Sequence, residues 1–162
     1  MKNAARYSRV AGFLFVFVVM LAESSFAKTS QCTQVGGAIL TNLGGFGEID
    51  GSPTTLGVAP GDLKGALGVK ILSASPDFTS ITVQHHWVTE DGETLNFDQA
   101  TLHGAYVGPN LLAVTDYKVH LRGGTGRFRN VSAELSSIGE LDFNTGHAIL
   151  RYSGTVCSGG NN

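Results

Sequence analysis

The sequence has little of what usually announces chemistry. It holds two cysteines, one tryptophan and five histidines, and only 15% of its residues are charged. Neither cysteine sits in a nucleophile setting, and no histidine pair has metal-ligand spacing such as that of a His-Glu-x-x-His helix. The formal charge is −2, from 11 basic and 13 acidic residues with no basic patch. That balance argues against nucleic acid or an anionic membrane surface as partner. Beyond the first 27 residues no stretch places apolar residues at i, i+3, i+4 and i+7, so no amphipathic helix is expected. Repeats and dividing linkers are missing as well, and residues 28–162 are expected to form one domain.

What the chain does have begins with a targeting pattern. Lys2, Arg6 and Arg9 precede an apolar run from Val10 to Ala22, and Ser25 and Ala27 are small residues at the positions a signal peptidase reads. A cleaved signal peptide over residues 1–27 is the expectation. A membrane anchor is the alternative, but it needs about 20 apolar residues and this run is shorter. No cysteine lies at the cleavage site, which argues against a lipoprotein, and the arginines are not adjacent, so the pattern is not a twin-arginine signal. The mature chain is then secreted or periplasmic, with no membrane span. An oxidising compartment favours a disulfide between Cys32 and Cys157, one near each end of the mature chain. Two free thiols are the alternative.

Glycine is abundant, at 22 residues. Together with Asn, Asp and Pro it punctuates short β-rich segments, as in a sandwich or barrel. The region Cys32 to Asp62 is the least decided. Residues Val35 to Asn42 suit one strand and Gly47 to Ser52 the start of another, while Pro53 and Pro60 frame a loop. Strands are then expected at Leu63 to Ala74, Phe78 to Glu90, Glu93 to His103, Leu111 to Arg122, Arg127 to Val131, Ser132 to Phe143 and His147 to Val156. In total about eight strands are expected, connected mostly as neighbours.

Asp91-Gly92 is a strong hairpin signal. A two-residue loop pairs Glu90 with Glu93. One face then carries Ile81, Val83, His85 and Trp87 opposite Leu102, Ala100, Asp98 and Asn96. That face is apolar far from the turn and polar near it, as one wall of a ligand-binding barrel is. A slip of one residue would exchange the faces.

The run Gly123-Gly124-Thr125-Gly126-Arg127-Phe128-Arg129-Asn130-Val131 resembles the glycine-rich signature of the allene oxide cyclase and dirigent barrel superfamily. Val88 to Leu95 resembles its central hairpin. Gly139 to Gly146 and Tyr152 to Cys157 resemble the closing hairpin of exported bacterial members of unknown function. The resemblance covers roughly Phe78 to Cys157. It implies an all-β fold, an eight-stranded antiparallel closed barrel with a mostly apolar cavity, wide enough for one small ligand. It also implies that a homo-oligomer, a trimer in many plant members, is possible. Known relatives include cyclases and proteins that steer the coupling of phenolic radicals. Their catalytic residues lie outside the matching motifs, so none carries over to this chain.

The residues themselves offer candidates. The glycine loop lacks the Gly-Lys-Ser/Thr of a phosphate-binding loop, so a tight turn is the expectation. Arg127 and Arg129 are expected two apart on one strand face, solvated or paired. His85 facing Asp98 would be a catalytic acid–base pair, because a carboxylate orients an imidazole and raises its pKa. The plainer reading is a cross-strand surface pair. Trp87, Asn96, Tyr117 and Tyr152 are candidate ligand-binding residues. His103, His120 and His147 share no spacing that defines a metal site, and neither metal nor cofactor is expected. The first expectation is a barrel that binds a small hydrophobic or phenolic molecule without turnover. A cyclase or isomerase that confines a reactive intermediate, and a structural envelope-associated barrel filled by its own side chains, are the alternatives.

Overall fold

The computed structural model describes residues 31–159. The expected signal peptide over residues 1–27 lies outside the described residues. Nine strands run in chain order: β1 (Gln31–Ile49), β2 (Ser52–Ala59), β3 (Gly65–Ala74), β4 (Ser80–Thr89), β5 (Thr94–Phe97), β6 (Ala100–Gly108), β7 (Leu111–Gly124), β8 (Val131–Asp142) and β9 (His147–Ser158). Neighbours pair antiparallel, β1 lies between β2 and β9, and the β3–β4 pairing closes the ring. The result is the expected eight-stranded closed barrel plus one extra strand. The extra strand arises because the expected strand Glu93 to His103 is broken into β5 and β6, which share the place between β4 and β7. Closure pairs every described strand with a neighbour on both sides over part of its length.

Alternation sets the two faces. Along β4, Ile81, Val83, His85 and Trp87 point inward and are buried, while His86 and Val88 are exposed. On β7, Tyr117, Val119 and Leu121 are buried, and Asp116, Lys118 and Arg122 are exposed. The core is mainly aliphatic, with Leu112, Leu121 and Val83 almost fully enclosed. Burying each such side chain contributes about 1.5–3 kcal/mol.

Three expectations are corrected. The segment between Pro53 and Pro60 is strand β2, not a loop. Pro53 lies at its second position and Pro60 just beyond its end, so neither interrupts the ladder interior. Arg127 does not share a strand face with Arg129, because Gly126–Phe128 forms a 3₁₀ turn before β8 begins at Val131.

The third correction concerns the central hairpin. Its loop has three residues, Glu90-Asp91-Gly92, closed by the Thr89 N–H donating to the Glu93 carbonyl at 2.8 Å. Gly92 has φ 82°, the left-handed residue such loops require. Trp87 therefore pairs with Leu95 and His86 with Asn96. Further from the turn, Val83 pairs with Ala100 and Ile81 with Leu102, as expected. A bulge at Asp98-Gln99 absorbs the difference between the two registers.

Cys32 and Cys157 are cross-strand partners on β1 and β9, and they form a disulfide. It joins the two ends of the described barrel.

Candidate functional site

The barrel encloses a cavity of about 380 Å³. Phe78 and Phe143, both partly exposed, stand at its rim with ring centroids 6.0 Å apart. Its wall is almost wholly aliphatic, and among the described residues no charged side chain lines it. From the rim inward along β4 come Ile81, Val83 and then His85. Thr41, Thr55, His85 and Tyr117 supply the polar groups, and all four are buried.

At the inner end, the Tyr117 hydroxyl and His85 Nε2 share a hydrogen bond of 2.6 Å. The two side chains come from β7 and β4, with the β5–β6 break between their strands. His85 Nδ1 is buried and has no hydrogen-bond partner among the described residues. Burial dominates the electrostatics of the pair. It lowers His85 to about 4, with the nearby His86 as a smaller contribution, and raises the Tyr117 phenol above its ordinary value. Both groups are neutral at pH 7.

The opposite end of the barrel is sealed. The segment Pro60 to Leu63 folds back over β1: the Ala38 N–H donates to the Pro60 carbonyl at 2.9 Å, and Asp62 N–H to the Gly36 carbonyl at 3.1 Å. Gly37 permits this crossing, because a Cβ there would collide with the Pro60 carbonyl and lie 2.7 Å from the Tyr152 ring. Trp87 Nε1 donates to the Leu63 carbonyl at 3.0 Å, and the Leu63 N–H donates to the Tyr152 hydroxyl at 3.0 Å. Trp87 and Tyr152 therefore belong to the seal and do not line the enclosed cavity. Burial raises the Tyr152 phenol, partly opposed by the bond from Leu63.

The expected His85–Asp98 pair does not form. The bulge turns Asp98 away from the interior, and its carboxylate accepts from Arg122 Nε at 2.6 Å on the outer side. Asn96 is exposed, opposite His86. A second, more open hollow of about 440 Å³ lies over β4 and β5 and includes Trp87 and Asn96. Of the named candidates, only His85 and Tyr117 line the enclosed cavity. Pairing those two was beyond the sequence, since they lie on strands that are not neighbours. Thr55 has no local signal, because Pro53 and Pro60 give its segment the pattern of a loop.

The glycine loop is occupied by its own hairpin. Glu93 Oε1 accepts from the Arg127 N–H at 2.8 Å, and the Arg127 side chain pairs with Asp91 and Glu93 at 2.9 and 3.1 Å. The Thr125 N–H is spent on the Thr94 carbonyl, and the Phe128 N–H on the Thr125 carbonyl. These donors are not free for a phosphate. Among the described residues no group of three His, Cys, Asp or Glu side chains is arranged to hold a metal ion.

No family model and no curated protein matches this chain. Solved structures do. The structure of the pterocarpan synthase dirigent protein GePTS1 superposes with a TM-score of 0.53 at 17% identity, over 82% of this chain and 88% of that one. That of the pterocarpan synthase dirigent protein PsPTS1 gives 0.50 at 18% identity, over 81% of this chain and 97% of the other. The fold is that of the dirigent barrel. At this identity the likeness concerns the fold alone. In this dirigent-type barrel the glycine run is the turn that clasps β7 to the central hairpin, and the cavity chemistry is the chain's own.

Proposed function

We propose that the protein is an exported dirigent-type barrel that binds one small hydrophobic or phenolic molecule in its cavity, without turnover. The enclosed cavity of about 380 Å³ with an uncharged, aliphatic wall carries this reading. Its size is within the range of small-molecule sites, which lie at roughly 300–1,000 Å³. A barrel filled by its own side chains would leave no such space. Export is supported by the basic, apolar and small-residue pattern of residues 1–27 and by the disulfide. Among the described residues no helix is long and apolar enough to cross a membrane.

Titration with the neutral fluorophore N-phenyl-1-naphthylamine tests the reading. One-to-one binding that Val83→Trp abolishes is expected, because the indole would occupy the space. No binding by the folded wild-type protein would overturn it.

The second reading is a cyclase or isomerase. It is favoured by the buried His85–Tyr117 pair inside a fold whose solved neighbours carry the name pterocarpan synthase. It requires turnover that depends on that pair, which carriage does not.

Self-association belongs to the same proposal. Ile149, Leu40, Val58, Ala66 and Val88 are successive cross-strand partners on the outside of the barrel, and all are exposed. Monomers seldom expose so continuous an apolar row, and the same row on a second copy is the matching occupant. Wild type sedimenting as an oligomer and Val58→Lys as a monomer is the expected result. A monomeric wild type refutes it.

A further inference from the structure

We infer that the cavity selects a neutral ligand through one acceptor oxygen, such as a ketone carbonyl, held at the His85–Tyr117 pair. The inference rests on the cavity-binding reading and adds the ligand's polar end and its orientation.

A count of protons leads there. Both groups are neutral, so the pair holds one imidazole N–H and one phenol O–H. Their mutual bond of 2.6 Å uses one of these donors. If the phenol donates to Nε2, the proton left over is on Nδ1. With the donation reversed, the phenol proton is left over. Either tautomer leaves one donor unspent, the Nδ1–H in the first and the phenol O–H in the second, and Nδ1 has no partner among the described residues in either. A buried donor without an acceptor is unfavourable, and a ligand oxygen would relieve that deficit.

The surroundings restrict which oxygen fits. Both side chains line the cavity, and among the described residues no Lys, Arg, Asp or Glu does. A carboxylate would be stripped of water without a cation to offset it, which is strongly unfavourable. A neutral carbonyl loses far less. The aliphatic wall between the pair and Phe78 and Phe143 then takes the apolar body of the ligand, with its tail toward the rim.

Three probes of one shape test this. They are 2-acetylnaphthalene, the isosteric hydrocarbon 2-isopropenylnaphthalene, in which CH₂ replaces the oxygen, and 2-naphthoate. Affinities are measured by displacement of N-phenyl-1-naphthylamine. The ketone should bind at least about tenfold tighter than the hydrocarbon, and the carboxylate weakest. Each single variant, His85→Leu or Tyr117→Phe, still carries one donor and should keep part of the preference. The double variant carries none, and ketone and hydrocarbon should become equal while both still bind. The carbonyl stretch of the ketone bound to wild type should also shift to lower frequency than in hexane, a readout that needs no variant. Equal wild-type affinity for ketone and hydrocarbon, with no infrared shift, overturns the inference and leaves cavity binding intact. No binding of either overturns cavity binding as well.

Discussion

Trp87 and Tyr152 meet edge to face with ring centroids 5.9 Å apart, and between them they satisfy both backbone polar groups of Leu63. The contact ties the segment Pro60 to Leu63 across one end of the barrel. Trp87→Phe keeps most of the packing but leaves the Leu63 carbonyl buried without its donor. A loss of about 1–3 kcal/mol in urea unfolding is expected. Tyr152→Phe should cost a similar amount through the Leu63 N–H. A change within a few tenths of a kcal/mol for both would mean that the seal contributes nothing to stability.

The stability of the barrel should depend on His85 in a definite pH window. In the unfolded chain this imidazole titrates near 6.5, and burial lowers it to about 4 in the fold. Between these values the unfolded chain binds more protons. The contribution is therefore complete above about pH 6.5, declines as the pH falls, and is lost by about pH 4. The slope reaches at most about 1.4 kcal/mol per pH unit. Urea midpoints at pH 7.0, 5.5 and 4.5 for wild type and His85→Gln isolate it, because the carboxylates titrate in both proteins. Parallel pH profiles would show that His85 is not buried in its neutral form.

Asp98 should be silent toward His85. Its carboxylate serves Arg122 at the surface, where an ion pair contributes at most about 1 kcal/mol. Asp98→Asn should leave the NMR titration of His85 unchanged, whereas Tyr117→Phe should move it. A drop in the His85 pKa in Asp98→Asn would restore the cross-strand acid–base pair.

Reduction of Cys32–Cys157 should lower stability without removing the fold, since β1 and β9 remain paired along Gln31 to Asn42. With a sequence separation of 125 residues, the chain-entropy account gives about 4–5 kcal/mol. Denaturant midpoints with and without reductant measure it. Equal midpoints would show that the unfolded chain is not restrained by the bond.

Much of this protein was written in local pattern. The alternation along β4 already assigned Ile81, Val83, His85 and Trp87 to one inward face, because side chains on a strand alternate whatever the strand pairs with. Glycine-rich turns and β-rich runs marked most of the strands from Leu63 onward, and the position of Cys32 and Cys157 near the two ends suggested their bond. Pairing partners were a different matter. Whether the hairpin loop holds two residues or three changes every contact near it, and the compensating bulge at Asp98-Gln99 has no local signature. That single residue of slip separates a His85–Asp98 pair from the His85–Tyr117 pair inside the barrel. Only closure of the sheet could decide it, because closure brings β4 and β7 across a shared interior and leaves Asp98 outside with Arg122. The seal made by Trp87, Tyr152 and Leu63 depends on closure in the same way, since Trp87 on β4 and Tyr152 on β9 reach each other and Leu63 only across the closed barrel.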